Sequence, residues 1–195
     1  GDVLVLQLEI PTALVRQAAR TAKNRGAFVI LNAAPAPRRI DGLLDDVNLL
    51  VVNEQEIEVL ASLAGIHGSP RDLVQTLPPI LGPAIVCTAG AEGSHTVLDG
   101  TLVHVPATKV TAKDTTGAGD TFVGYLAASL AASPGGLPAS LIQATRASTV
   151  AVTRSVRAVS PASGTTILNG CPRRARVGAW TSAIQTAGAG RATVI

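Results

Sequence analysis

"VLVLQLEIPTALVRQAARTAKNRGAFVILN", residues Val3 to Asn32, sets an apolar strand, an amphipathic helix and a second apolar strand in succession. Val3 to Glu9 forms a short apolar strand that runs into Pro11, whose fixed φ and missing N–H suit the first turn of a helix. "TALVRQAARTAKNRG" then places apolar residues at three- and four-residue spacing and ends at Gly26, which reads as a helix with a C-terminal glycine. "AFVILN" is the next strand. Its near-continuous apolar character, in a strand–helix–strand unit, predicts a mostly parallel sheet with helices on both faces.

The alternation continues along the chain. "NLLVVN" (Asn48 to Asn53) predicts a strand, and "EQEIEVLASLAG" a helix with acids in its first turn. "RDLVQTLPPIL" reads as a helix broken by Pro78 and Pro79, and "AIVCTAG" as a buried strand. "SHTVLDG" and "TLVHVPA" form two shorter strands with Asp99-Gly100 as their hairpin turn. A glycine turn, Gly117 to Asp120, opens a helix to Ala132; after "SPGGLP" a last helix runs from Ala139 to Thr153. The expected fold class is therefore α/β, with three layers. Beyond Arg154 no sustained period is visible, so residues 155–195 are expected to be a divergent tail, disordered or foreign to the domain at 1–154. A frameshift soon after Arg154 and natural divergence both fit that change of character.

Composition bounds the function. Hydrophobic residues make up 47% and charged residues 15% of the 195, a globular balance. Aromatics at 2% leave no base-stacking platform for single-stranded nucleic acid, and the net charge of +3 is mild. "RRAR" (Arg173 to Arg176) lacks a docking element, so no nucleic-acid partner is expected. No apolar run is long enough to cross a bilayer and no signal peptide opens the chain, so no membrane partner and a cytoplasmic location are expected. Cys87 and Cys171 fit no metal spacing, and Cys87 reads as a small core residue. His67, His95 and His104 fit neither a metal nor a triad and are expected at the surface. The chain holds no methionine and begins almost inside a strand, which reads as the remainder of something longer.

"KDTTGAGDTFVGYLAASLA" (Lys113 to Ala131) carries the chemistry. Glycines at a helix start let backbone N–H groups approach an anion closely, yet Asp120 sits in the same place. A site that collects phosphate and also holds a carboxylate points to phosphoryl transfer, with the carboxylate taking a proton. No G-x-x-x-x-G-K-[ST] is present, so this is not a P-loop. Ligands of such sheets bind beyond the carboxyl ends of the strands, where Glu9, Asn32, Asn53, Glu56, Thr88 and Asp120 fall. Plainer readings exist for each: Asp120 as a helix cap, Asn53 and Glu56 as a helix start, Glu9 and Asn32 as polar strand ends.

"DTTGAGDTFVGYLAASLA" closely resembles the second signature of the ribokinase-like (PfkB) carbohydrate kinases. "LQLEIP", "LNAAPAP", "LLVVNEQEIEVLA" and "TAGAEGS" are similar to further stretches of that family, in the same order, over Val3 to Arg154. The resemblance covers the C-terminal half of a complete family member, without its N-terminal strands and lid. It implies transfer of the ATP γ-phosphate to a sugar primary hydroxyl, D-ribose foremost, with doubtful turnover by this chain alone. It implies Asp120 as general base, with Gly117, Ala118 and Gly119 as the anion-binding turn. Asn53, Thr88, Gly90, Gly93, Gly119 and Thr145 would meet ATP, and Glu9 and Asp120 the sugar. Glu56 would hold Mg²⁺ through water, and Asp114, Thr116, Ala151 and Arg154 would hold K⁺. Val156 stands where the family has glycine, which weighs against the K⁺ site. Complete members are expected to dimerise through the lid. The rival readings are another kinase of the family and a non-catalytic nucleotide-binding remnant.

Overall fold

The structure is a computed structural model that describes residues 1–132, 136–153 and 192–194. The opening unit folds as β1 (Val3–Leu6), α1 (Thr12–Asn24) and β2 (Phe28–Asn32). Then follow β3 (Leu49–Asn53), α2 (Glu54–Leu63), α3 (Pro70–Thr76), α4 (Pro78–Leu81) and β4 (Ala84–Thr88). The hairpin strands are β5 (Ser94–Leu98) and β6 (Thr101–Val105), and the long helices are α5 (Ala118–Ala132) and α6 (Leu137–Val152). A last strand, β7, spans Ala192–Val194.

One sheet holds all seven strands in the order β6-β5-β4-β3-β2-β1-β7. β1 to β4 run parallel, and β5 and β6 are antiparallel at one edge. Strand alternation divides the core into two layers. Leu4, Leu6, Leu50 and Val52 face α1, α2 and α3 through Val15, Ile57, Leu60 and Leu73. Val3, Val5, Leu49 and Val51 face α5 and α6 through Phe122, Leu126, Leu141 and Ala144. The predicted three-layer α/β arrangement is therefore the one observed. All the parallel strands end on the same side, and the loops there carry the polar residues singled out in the sequence.

Local signals act as their chemistry requires. Asp99 and Gly100 both take positive φ, 48° and 76°, as a tight hairpin turn demands. Helix α3 stops before Pro78, which instead starts the short α4, so the break lies where the proline removes a backbone donor. Cys87 is buried at 1% exposure, as expected of a core residue.

One strand and one buried side chain were not foreseen. Ala192–Val194, within the stretch expected to be a divergent tail, forms a strand that pairs parallel to β1, with Val3 opposite Ala192 and Val5 opposite Val194. Three residues are too few to show a period in sequence, and Ala192 earns its place by packing into the α5–α6 layer. Along Val3–Val5 the outer side of β1 is consequently paired. His95 is not a surface residue: β5 pairs it with Cys87 on β4, so alternation turns it toward the α3 face, and it is buried. Arg154, Cys171, Arg173 to Arg176 and the rest of 154–191 lie outside the described residues.

Candidate active site

Helix α5 begins in a turn tied to the end of α6. The Lys113 N–H donates to the Val152 carbonyl at 2.8 Å and the Asp114 N–H to the same oxygen at 3.3 Å. Asp114 Oδ1 accepts from the Thr116 N–H at 2.9 Å, closing a turn of the kind that aspartate side chains make locally. Gly117 follows with φ 74°, which a side chain would strain, and the helix is entered when the Thr121 N–H reaches the Gly117 carbonyl at 2.9 Å. The first N–H groups of a helix have no partner within it and point out of its start. One of them is engaged: the Ala118 N–H donates to Thr115 O at 3.2 Å.

Asp120 stands in the first turn of α5 with an exposed side chain. Its Oδ1 accepts from Gln7 Nε2 at 3.1 Å. Gln7 lies just past the end of β1, so this bond joins the carboxyl end of the sheet to the start of α5. Gln7 escaped notice in the sequence although it sits inside the quoted "LQLEIP", because its partner is 113 residues away. Glu9 is two residues further on and exposed, at the same end of the sheet.

The facing wall is built by β3, β4 and the turns after them. Asn53 caps α2: its Oδ1 accepts from the Glu56 N–H at 2.8 Å, and Glu56 Oε2 accepts from the Asn53 N–H at 2.8 Å. This reciprocal box holds both side chains in fixed positions. Burial raises the Glu56 carboxyl above its usual value, against the lowering effect of the Asn53 N–H bond. Thr88 Oγ1 donates to the Val52 carbonyl at 3.3 Å, and Gly90 and Gly93 take positive φ of 50° and 106° in the short 3₁₀ turn that follows β4. Beneath them, burial and then Glu54 and Glu56 push the Cys87 thiol up to about 12, so it stays protonated and inert.

Between the walls lies a cleft of about 440 Å³. Asn53, Thr88, Gly90, Gly93, Ala118, Gly119 and Thr145, all singled out in the sequence, line it. Phe122 and Ser148 also line it and were not foreseen. Their spacing marks them only as one turn beyond Ala118 and Thr145, a signal visible once both helices face one space. Thr145 is buried, with its Oγ1 3.5 Å from Ser94 Oγ, and Ser148 Oγ donates to its carbonyl at 3.0 Å. Asp120, Gly117, Glu9, Glu56, Asp114, Thr116 and Ala151 do not line the cleft. Asp120 adjoins Gly119 and so stands at the rim. A larger cavity of about 560 Å³, with Arg16, Arg38 and Arg39 in its wall, lies past β1 and β2. It contains none of the predicted site residues.

Cations would find oxygen here and little else. Among the described residues no group of three or more His, Cys, Asp or Glu could hold a metal ion. A magnesium ion suits such a place only if phosphate oxygens and water supply most of its shell, with Glu56 accepting from that water. For a monovalent ion, Asp114 and Thr116 are drawn by the Val152 bonds to the end of α6, where Ala151 lies. Arg154, the fourth residue of that expectation, is outside the described residues.

A sequence profile described as "pfkB family carbohydrate kinase" matches residues 1–161. The chain belongs to the pfkB family of carbohydrate kinases. A ribokinase of Staphylococcus aureus (strain COL) is 34% identical over 125 residues, covering 64% of this chain and 41% of that protein. A deoxyribokinase of Salmonella typhi is 35% identical over 128 residues, covering 65% of this chain and 42% of that protein. Among solved structures, a ribokinase of Thermotoga maritima superposes with a TM-score of 0.71 at 31% identity, over 79% of this chain and 51% of that one. Arabidopsis thaliana ribokinase, complexed with ribose and ATP, superposes with a TM-score of 0.67 at 26% identity, over 78% of this chain and 50% of that one. The chain thus spans under half the length of these two curated relatives. No helix among the described residues is long and apolar enough to cross a membrane.

Proposed function

We propose that this chain carries the nucleotide-binding and phosphoryl-transfer elements of a sugar kinase that moves the ATP γ-phosphate to a primary hydroxyl, with D-ribose as the foremost acceptor. The observation that carries the reading is that Ala118 and Gly119 share one cleft with Gly90 and Gly93, with Asp120 held at its rim by Gln7. ATP would lie along Thr88, Gly90, Gly93 and Thr145, where the small residues let it rest on backbone. Its γ-phosphate would reach the start of α5. There the amides of Gly117 and Gly119 meet the charge that builds on the phosphoryl oxygens, as oriented dipoles do without reorganising. The Ala118 amide joins them by sharing or releasing Thr115 O.

Asp120 accepts the proton of the sugar hydroxyl as that oxygen attacks phosphorus and ADP leaves. The proton transfer needs the carboxylate within hydrogen-bond reach of the hydroxyl, and the Gln7 bond restricts its rotation while leaving its second oxygen for the sugar. Glu9 is the sugar contact from the β1 side. Magnesium, when bound, neutralises phosphate charge, with Asn53 and Glu56 orienting its water. A potassium ion at Asp114, Thr116, Ala151 and Arg154 would brace the turn from behind. The deoxyribokinase relative keeps deoxyribose among the acceptors to test.

Asp120 is exposed, and no described segment covers it, so water reaches the transferring group and turnover by this chain is expected to be weak. The same exposure favours the second reading, a nucleotide-binding protein without transfer. Both are tested by binding of a non-hydrolysable ATP analogue followed by transfer of labelled γ-phosphate to ribose. Transfer abolished by Asp120→Asn with analogue affinity intact supports the kinase. Binding without transfer to any sugar favours the second reading, and failure to bind nucleotide contradicts both.

A further inference from the structure

His104 and His95 occupy the hairpin behind the nucleotide loop, and their arrangement is specific. They are register partners across β5 and β6, and their rings stack with centroids 4.5 Å apart at 19°. His104 Nε2 lies 2.7 Å from the carbonyl oxygen of Glu92. A carbonyl can only accept, so Nε2 carries the hydrogen and His104 donates. Glu92 closes the 3₁₀ turn Gly90–Glu92, and its carbonyl also accepts from the Ala107 N–H at 3.4 Å. Gly90, Gly93 and Ala107 all line the cleft. One carbonyl therefore joins the nucleotide loop to the wall that follows β6, and the His104 side chain anchors it from outside.

The remaining bonds of the loop are internal to it: Ala89 N–H to Gly93 O at 2.8 Å, Glu92 N–H to Ala89 O at 2.9 Å and Gly93 N–H to Gly90 O at 3.2 Å. They fix its shape, the Thr88–Ser94 and Ser94–Val105 pairings tie its two ends to the sheet, and the Glu92 carbonyl ties its middle to the segment after β6. His95 supports the anchor from beneath: it is buried, and its Nδ1 has no partner among the described residues. A ring stacked on such a support loses little further freedom when it forms its bond.

We propose that His104 is a positioning residue for nucleotide binding, holding the Gly90–Gly93 loop in register with the α5 turn through the Glu92 carbonyl. The inference rests on the nucleotide-binding reading of the cleft. It separates donor from ring, because His104→Phe keeps the stack on His95 but removes the N–H, whereas His104→Gln keeps an N–H donor of similar reach.

The test is affinity for the magnesium complex of a non-hydrolysable ATP analogue, read by calorimetry on the full chain, with amide exchange at Ala107 and Gly93 followed on the nucleotide-free protein. His104→Phe is expected to weaken the analogue about three- to tenfold, the effect of one lost hydrogen bond, and to speed exchange at both amides. His104→Gln should stay within about twofold of the unsubstituted protein. A Phe variant that binds like the unsubstituted protein overturns the proposal, as does a Gln variant as weak as Phe, since an N–H donor would then fail to restore the loop. If the unsubstituted protein binds no nucleotide, the reading of the cleft fails and the proposal with it. Normal binding by all three proteins sinks the His104 role alone.

Discussion

Replacing Gly93 by alanine should damage the protein far more than replacing Gly90, although the two glycines look equivalent in the sequence of the loop. At Gly93 the backbone holds φ 106° and ψ −124°, a region that residues with a Cβ scarcely enter. A Cβ there would meet the Val105 carbonyl oxygen in hard contact, with Ala107 N at 2.6 Å and Pro106 C at 2.9 Å. These are backbone atoms at the end of β6 and cannot swing aside. Strain and overpacking together set an expected loss of about 2–5 kcal/mol for Gly93→Ala. Gly90 has φ 50° and nothing within 4 Å of its would-be Cβ. Only the left-handed backbone then counts, and Gly90→Ala is expected to lose roughly 1–2 kcal/mol. Urea denaturation followed by circular dichroism reads both from the midpoint at constant slope. Equal losses, or a Gly93→Ala protein within about 1 kcal/mol of the original, would refute the reasoning that β6 and not the nucleotide demands this glycine.

Asn53→Ala should lose about 1 kcal/mol through the missing cap of α2, while Asn53→Asp keeps the cap and adds a charge to the cleft, so denaturation should spare it and analogue affinity should fall. Gln7→Ala should change stability by less than about 0.5 kcal/mol and lower phosphate transfer to sugar without changing analogue affinity; equal loss of both would place Gln7 in nucleotide binding instead. Burial, then His104 and Arg71, hold the His95 imidazole below its ordinary value, with Glu92 and Glu54 opposing them. The unfolded chain therefore takes the proton first on acidification, so this stability is full above pH 6.5 and is lost as pH falls toward the folded value. Denaturation midpoints measured between neutral and acidic pH should fall less steeply in His95→Gln, and an unchanged slope would contradict that origin.

The parallel core was legible because strands buried on both faces are written as unbroken apolar runs, as in "VLVL" and "LLVV", and because Pro11, Pro78 and Asp99-Gly100 impose backbone angles wherever they stand. Helix ends followed the same local chemistry. The cleft residues Asn53, Thr88, Gly90, Gly93, Gly119 and Thr145 were named through the family resemblance, whereas Glu54, Gln55, Ala107, Phe122 and Ser148 beside them carried no signal of their own. What remained hidden depends on pairing at a distance. Gln7 and Asp120 meet only when β1 and α5 come together, and His95 is buried only because its register partner is Cys87. β7 is too short to show a period and is defined by β1 beside it. Gly93 was read as room for a nucleotide, yet the sheet itself leaves no space for a Cβ.

The central claim is that the cleft between the Gly90–Gly93 loop and the start of α5 receives the phosphates of ATP. Glycine amide resonances stand apart in a ¹⁵N–¹H correlation spectrum, and titrating the labelled protein with magnesium and a non-hydrolysable ATP analogue tests it most directly. The expected result is saturable shifts at Gly90, Gly93, Gly117 and Gly119, with Gly26 and Gly65 unmoved. Shifts confined to the arginine-lined cavity past β1 and β2, or none at all, would contradict it.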